Sequence, residues 1–522
     1  MLLLVVLVLM ATGLARPGMA SEYCNSFTSA SIPYASSPDS DGSANNPHRI
    51  CTLDQLDNVR LEPSSHFLQM ADILAADTRR QQGPNRWNTR FGFEPLFSEV
   101  QPFTGVYDGN GHMIYLLKIN GPGQPNQSLF GVASSAIIRN LHLKGALVIG
   151  GSDTAGLVSR ITYDLDRQPE IQNASVRGHL IVSSPDMRNG AVGGVVATLG
   201  SGAVARGLVF AGTIRVQQAA GNIRGVGGIV GYADTLSQLG NCASRANIIA
   251  RNPQIDFILG IGGVIGTLGR LAEVDRCHAF QPKILVDVLS LGAGGVVGRS
   301  DGHSIKSSSS RRGFVHSSAE GNGGFMGYGY TTQVNRSWTS TSVSGSGLNG
   351  GFVGTTDGGG MSISDSFASG AVKGEHAGGF IGAILYAPTS TFARVYASGH
   401  VSKGAGFLGL LEFNQGEGNL VTILSSFSAG ASIEFVNGLF DREAHFLNNN
   451  HWYNPLDRSG VDCNDCARVN DLRELFDPVH PVYQGHGGPA TAWDMENVWK
   501  TGPGHLPVLR QRPMTDALSG LN

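Results

Sequence analysis

Acid pairs, clustered bases and cysteines are the side chains of this 522-residue chain whose types and spacing could carry chemistry. Asp234, Asp301 and Asp357 each fall six residues after the second glycine of a recurring pair. Two carboxylates flanking one bond are what acid–base cleavage of a glycoside requires. Gly269 and Tyr330 hold the same place in the intervening units, so neighbouring acids stand two units apart, about 10 Å if the units stack as strands. That lies near the upper end of the separation used by inverting glycosidases and is too long for a shared metal ion. Aspartate is also a common turn residue. These acids are therefore expected at solvated turns, with Asp301 and Asp357 the pair to act if the chain is an enzyme. Lys306, Arg311, Arg312 and Arg336 form a basic cluster, suited to a solvated face, to an acidic glycan, or to the bases of a polyuronate lyase.

The six cysteines fall into sequence neighbours: Cys24 with Cys51, Cys242 with Cys277, and Cys463 with Cys466. An even count suits disulfides in an oxidising compartment. Cys463 and Cys466 with His445 and His451 could hold zinc, but the export context and the lack of a second CxxC favour a local disulfide. No metal or other cofactor is expected. Asp108 to His112, DGNGH, lacks the remaining ligands of a calcium loop and reads as a turn. The HExxH zinc helix does not occur, so no zinc-peptidase machinery is expected.

What must position these groups is a repeat. GGVVA begins at Gly193, and related phrases begin at Gly227, Gly262, Gly294, Gly323, Gly350, Gly378 and, in degenerate form, Ala405. Successive starts differ by 34, 35, 32, 29, 27, 28 and 27 residues, the period of a solenoid. A second phrase follows at Trp338, Phe367, Tyr396 and Phe427. Short β-rich segments between glycines, with little helical periodicity, predict a parallel β-helix of about eight to ten coils. The glycines are expected where the coil turns with φ > 0 or where backbones approach closely, and the apolar pair after them is expected to alternate inward and outward. Cys242 and Cys277 each lie fourteen residues after a second glycine, hence on adjacent coils within disulfide reach. The recurring aromatics are expected as an interior stack rather than a sugar-binding stripe.

These phrases resemble the GLUG motif of bacterial exported and surface proteins, among them some immunoglobulin-cleaving peptidases and large adhesins. Phe103 to Ile119 is similar to the phrase that opens such repeats, Leu129 to Gly145 to their first coil, and NHWYNPLDRSG, AWDMENVW and LPVLR to their closing segment. The likeness runs from about Ile50 to Leu509 and implies the β-helix. It also implies a strand over Phe67 to Ala76, where the spacing of Phe67, Met70 and Leu74 by itself suggests helix.

The organisation that follows is a signal peptide over 1–20, an N-terminal cap over 21–100, the repeat over 101–440 and a C-terminal cap over 441–522. Residues 1–10 are an uncharged apolar run followed by Pro17, Gly18 and Ala20, as in a cleaved secretory signal. Thr52 to Gln55 is a capping-box pattern opening a short helix, and Asn470 to Phe476 reads as another. Both caps would cover otherwise open strand edges. Lys plus Arg number 37 against 40 Asp plus Glu, a formal charge of -3, which argues against a nucleic-acid partner. After signal cleavage no membrane span is expected. The composite expectation is an exported, extracellular, cell-surface or periplasmic protein that binds glycans or surface proteins without catalysis. The alternative is a polysaccharide lyase or hydrolase.

Overall fold

Strand pairing lines up the glycine phrases. Gly193, Gly227, Gly262, Gly294, Gly323, Gly350, Gly378 and Ala405 are successive partners, one coil above the next. The computed structural model describes residues 24, 34, 40–80, 87, 90–164, 167–187, 189–386, 389–412, 420–430, 435–436, 445–453, 466–485, 491–502 and 504–510. The expected signal segment lies outside them. The architecture is a parallel β-solenoid. Ten strands, one per coil from Phe130–Ser134 to Leu408–Glu412, form one sheet, and a larger sheet wraps the rest of each coil. A representative coil runs through Gly321–Gly323, Met326–Gly329, Gln333–Asn335, Trp338–Thr339, Ser342–Gly345 and Leu348–Gly350.

The glycines are there for close approach. None of the residues in the GGxxG phrases has positive φ. A Cβ on Gly323 would overlap the Met326 carbonyl, one on Gly324 the Gly351 carbonyl, and one on Gly327 the backbone of Ala293. The two sheets therefore touch backbone to backbone along this line, and at these three glycines a methyl group would overlap backbone. The left-handed corner lies elsewhere. Asn140, Asn173, Gly207, Asn241, Arg276, Ser307, Arg336, Asp365, Arg394, Ser425 and Asn449 all have positive φ and stack coil upon coil by the flanking register. Just past this bend, Ser308, Ser337 and Ser366 are buried. Each donates to the carbonyl two residues back and accepts from a backbone N–H one coil below, at 3.2 Å. The hydroxyl thus satisfies polar groups that the bend takes out of the ladder.

The core fills the coil interior. Phe325, Phe352, Phe380, Phe407 and Phe435 stack with centroids 4.6, 4.9, 5.2 and 4.9 Å apart. The expected in–out alternation after the glycines does not occur: Val296 and Val297, like Phe325 and Met326, are both fully buried, because the chain turns between the two sheets there. Cys242 and Cys277 are register partners joined by a disulfide, Cα atoms 4.5 Å apart.

At the N-terminal end Cys24 is bonded to Cys51, and Thr52 closes a capping box on the helix Leu53–Asn58. His66–Gln69 and Ile73–Leu74 are strands, as the resemblance implied. Parallel pairing already begins at His48–Ile50, within the stretch assigned to the N-terminal cap. At the C-terminal end, Leu472–Phe476 is a 3-10 helix with its own capping box, followed by the helix Pro481–Gln484 and an antiparallel pair, Trp499–Gly502 with His505–Leu509. Among the described residues no helix is long and apolar enough to cross a membrane.

This C-terminal segment corrects the reading of the recurring aromatics. Trp338, Phe367, Tyr396 and Phe427 do stack, with centroids 5.4, 4.9 and 4.8 Å apart and planes within 9°, but on the outside of the coil. The left-handed residue resets the in–out alternation, so Thr339, Ala368, Ala397 and Ser428 face inward instead. The ladder is buried by the segment folding back along the flank. Trp493 donates to the Ser425 carbonyl at 2.8 Å, Trp499 to Asp365 at 3.2 Å, and the Tyr396 hydroxyl to the Pro507 carbonyl at 2.7 Å.

Candidate functional site

The first rung packs at the edge of this cluster. Trp338 is only half-buried, and one coil below it the outer face carries Arg311. Its guanidinium carbon sits 4.7 Å from the centroid of the Trp338 ring and 5.8 Å from that of Phe280. Gln281 and Arg312 both have positive φ, which turns the chain sharply here, and the Arg312 N–H donates to Ser340 Oγ at 3.0 Å. Arg245, Phe280, Gln281, Arg311, Arg312, Trp338 and Ser340 enclose an open cleft of about 460 Å³. Burial, and then the charge of Arg312, lowers the Arg311 pKa. The same guanidinium, after burial, helps push the neighbouring His278 down to about 4, so at neutral pH that ring is an uncharged partner of Ser309 Oγ at 2.8 Å. Two cations beside aromatic faces can take an anion and an apolar ring face together.

Of the basic residues singled out in the sequence, Arg311 and Arg312 meet in this cleft. Lys306 and Arg336 do not. Lys306 lies beyond the left-handed bend between Asp275 and Asn335, and Arg336 stands at the bend itself, within electrostatic reach of Asp494. Arg245, Phe280 and Trp338 were not recognised as its lining. Arg245 and Phe280 each fall seventeen residues after a second glycine, whereas Arg311 and Ser340 fall sixteen after theirs. That count was the available signal, and the changing coil length obscures it.

The aspartates occupy one row at the end of the ten-stranded sheet. Asp301, Tyr330 and Asp357 follow the partners Ser300, Gly329 and Thr356. Asp301 is ion-paired with Arg299 at 3.0 Å, Asp357 accepts from the Tyr328 hydroxyl at 3.3 Å, and Asp234 accepts from the Tyr232 hydroxyl at 3.0 Å. Glu320 has its pKa raised by burial and by Asp357. In the DGNGH turn, Asp108 accepts from Arg139 at 2.7 Å and from the Asn110 N–H at 2.8 Å. Cys466 is disulfide-bonded; Cys463 and the side chain of His445 lie outside the described residues. His451 contacts His480, ring centroids 4.7 Å apart.

No family model matches the chain. It is 34% identical over 125 residues to halomucin of Haloquadratum walsbyi, an alignment covering 23% of this chain and 1% of that protein. It is also 34% identical over 108 residues to a protein of Evansella cellulosilytica named as a Gly-rich membrane protein, covering 20% of this chain and 12% of the other. The chain thus matches only a small part of the length of these curated relatives. Among solved structures, a Bacteroides ovatus protein named as an immunoglobulin A1 protease aligns with 90% of this chain and 94% of its own, at 14% identity and a TM-score of 0.26. A structure named IgA1 protease aligns with 66% of this chain and 21% of its own, at 17% identity and a TM-score of 0.33.

Proposed function

We propose that this chain is an exported, non-catalytic solenoid of GLUG-like repeats that works as an adhesin or surface binding protein, with an anionic glycan as its ligand. The observation that carries the reading is the cleft of Arg311, Arg312 and Trp338. A guanidinium fork suits the carboxylate of an acidic sugar, and Phe280 and the edge of the Trp338 indole add apolar lining beside it. The disulfides fit an oxidising, extracytoplasmic setting. Glycan-array binding by the mature chain, run with a polysaccharide-degradation assay, tests the proposal. Acidic glycans are expected to bind without being cleaved, and Arg311→Ala to weaken them by about tenfold, the loss of one charge-assisted contact. Binding confined to neutral glycans overturns the reading.

The enzymatic alternative is favoured by one observation, the placing of Glu320 and Tyr328 against Asp357 on the row that also carries Asp301. It expects turnover of a polysaccharide that Asp301→Ala or Asp357→Ala abolishes. Binding with no cleavage sinks it.

A further inference from the structure

The cleft is one end of a longer feature on the outer face of the large sheet. Four rows of outward residues run along the axis between the left-handed corner and the next bend. The first contains His142, Ser175, Val209, Ala243, His278 and Ser309. In the second, Lys144 pairs with Arg177, Arg177 with Ala211, Ala211 with Arg245, and Phe280 with Arg311. The third runs Leu147, His179, Thr213, Asn247, Lys283 and Phe314, and the fourth Ile149, Ile181, Arg215, Ile249, Leu285 and His316. None of these positions is acidic, although the whole chain has more acidic than basic residues and a formal charge of -3. Each of six consecutive coils contributes one lysine or arginine to the rows: Lys144, Arg177, Arg215, Arg245, Lys283 and Arg311. Among the described residues, the ion pairs of the structure involve none of Lys144, Arg215, Arg245, Lys283 or Arg311. Acidic side chains return at the following corner, where Asp287, Glu320 and Glu375 line a wider groove.

We infer that this face is a track for a linear polyuronate, a glycan with one carboxylate per sugar, bound along the solenoid axis with its end in the Arg311 cleft. The inference deepens the binding reading above and rests on it. Coils rise by about 4.8 Å, close to the length of one 1,4-linked pyranose in an extended chain, so one cation per coil matches one carboxylate per sugar. Five coil steps give a track of about 24 Å. Uncharged residues between the cations leave room for the sugar rings, and Phe280 and Trp338 line the end of the track with apolar surface. A nucleic acid fits less well. Duplex phosphates come every 3.4 Å per strand on a helical path, whereas these rows run along the solenoid axis, with the cations spread over three of them, and the disulfides fit a setting in which extracellular glycans are accessible polyanions.

Calorimetric titration of the full chain with oligogalacturonates of two, four, six and eight residues tests this. Affinity should rise about two- to threefold per added sugar, as for exposed ion pairs, level off near six, and fall steeply with added salt. Lys144→Gln with Arg215→Gln, at the far end from the cleft, should weaken the hexamer several-fold and leave the dimer unchanged. Arg311→Gln should weaken both. Circular dichroism and melting temperature confirm that these surface variants fold. If hexamer and dimer bind alike and the far-end variants change nothing, the track is overturned while the cleft stands. Absence of binding to every oligomer, with other anionic glycans still bound at the cleft, overturns the polyuronate assignment alone, and absence of all anionic binding overturns both readings. Equal affinity for a single-stranded oligonucleotide of the same charge overturns the choice of a glycan.

Discussion

At the scale of single residues, the glycines separate two physical roles that a composition merges. Gly327 has ordinary backbone angles, but its missing side chain is what lets the two sheets touch at Ala293. Gly111 has φ of 77° and open space around it. Gly327→Ala is therefore expected to cost about 2 to 3 kcal/mol through overpacking, and Gly111→Ala about 1 to 2 kcal/mol through left-handed strain alone. Thermal and denaturant unfolding of the two variants check the ranking; equal losses would mean that close approach is not what Gly327 supplies. Two histidines make a second residue-scale prediction. Burial, then Arg311, holds His278 at about 4, and burial, then His480, holds His451 at about 4. Both lie below the ordinary value near 6.5, so between pH 6.5 and 4 the unfolded chain binds more protons than the folded one. Stability should therefore be at its plateau above pH 6.5 and fall as the pH drops toward 4, by roughly a few kcal/mol in total. Melting temperatures across that range, with His278→Gln flattening part of the slope, test it.

At the scale of elements, the C-terminal segment is a clasp on the flank. Phe367, Tyr396 and Phe427 form a hydrophobic cluster with Trp493, Trp499, Tyr483 and Leu475, separate from the coil interior. Its anchors reach far along the sequence: Trp499 bonds Asp365 and the Tyr396 hydroxyl bonds Pro507. Trp499→Ala removes the largest fully buried side chain of the molecule and should cost about 3 to 5 kcal/mol locally. The expected sign is rapid proteolytic clipping within 466–510 while the solenoid resists digestion. Clipping spread evenly over both would show that the clasp and the coils open together. The His451–His480 contact lies at the same junction, so clipping should also quicken as the pH falls below 6.5.

At the scale of the whole molecule, each coil is held mainly by its neighbours, and stability is a sum of such interfaces. The bond between Cys242 and Cys277, 35 residues apart, ties two adjacent coils. Removing it with the double variant Cys242→Ala, Cys277→Ala should cost about 4 kcal/mol on loop-closure grounds, read as a lower calorimetric melting temperature; an unchanged melt would place the stability of those coils entirely in packing. Nearest-neighbour architecture is also why so much of the fold was legible. A glycine phrase repeated at 27 to 35 residues specifies which residues stack, and so gives the solenoid, the coil count and the partners Cys242 and Cys277. Arg311 and Arg312 are adjacent in the sequence, but counting could not bring Arg245 and Phe280 to them, because the offset from the glycine pair changes by a residue just there. It could not tell the two uses of glycine apart, since both ask for the same amino acid. Nor could it say that Trp338, Phe367, Tyr396 and Phe427 face outward. Their direction is set by one left-handed residue per coil, supplied by Arg336, Asp365, Arg394 and Ser425, of which aspartate alone has a local preference for that conformation. The sequence determined the register of the rod, a matter of spacing along the chain. The tertiary structure decided which face is bare of acids and which is clasped, because those depend on how each coil bends and on a C-terminal segment that packs more than a hundred residues away from where it begins.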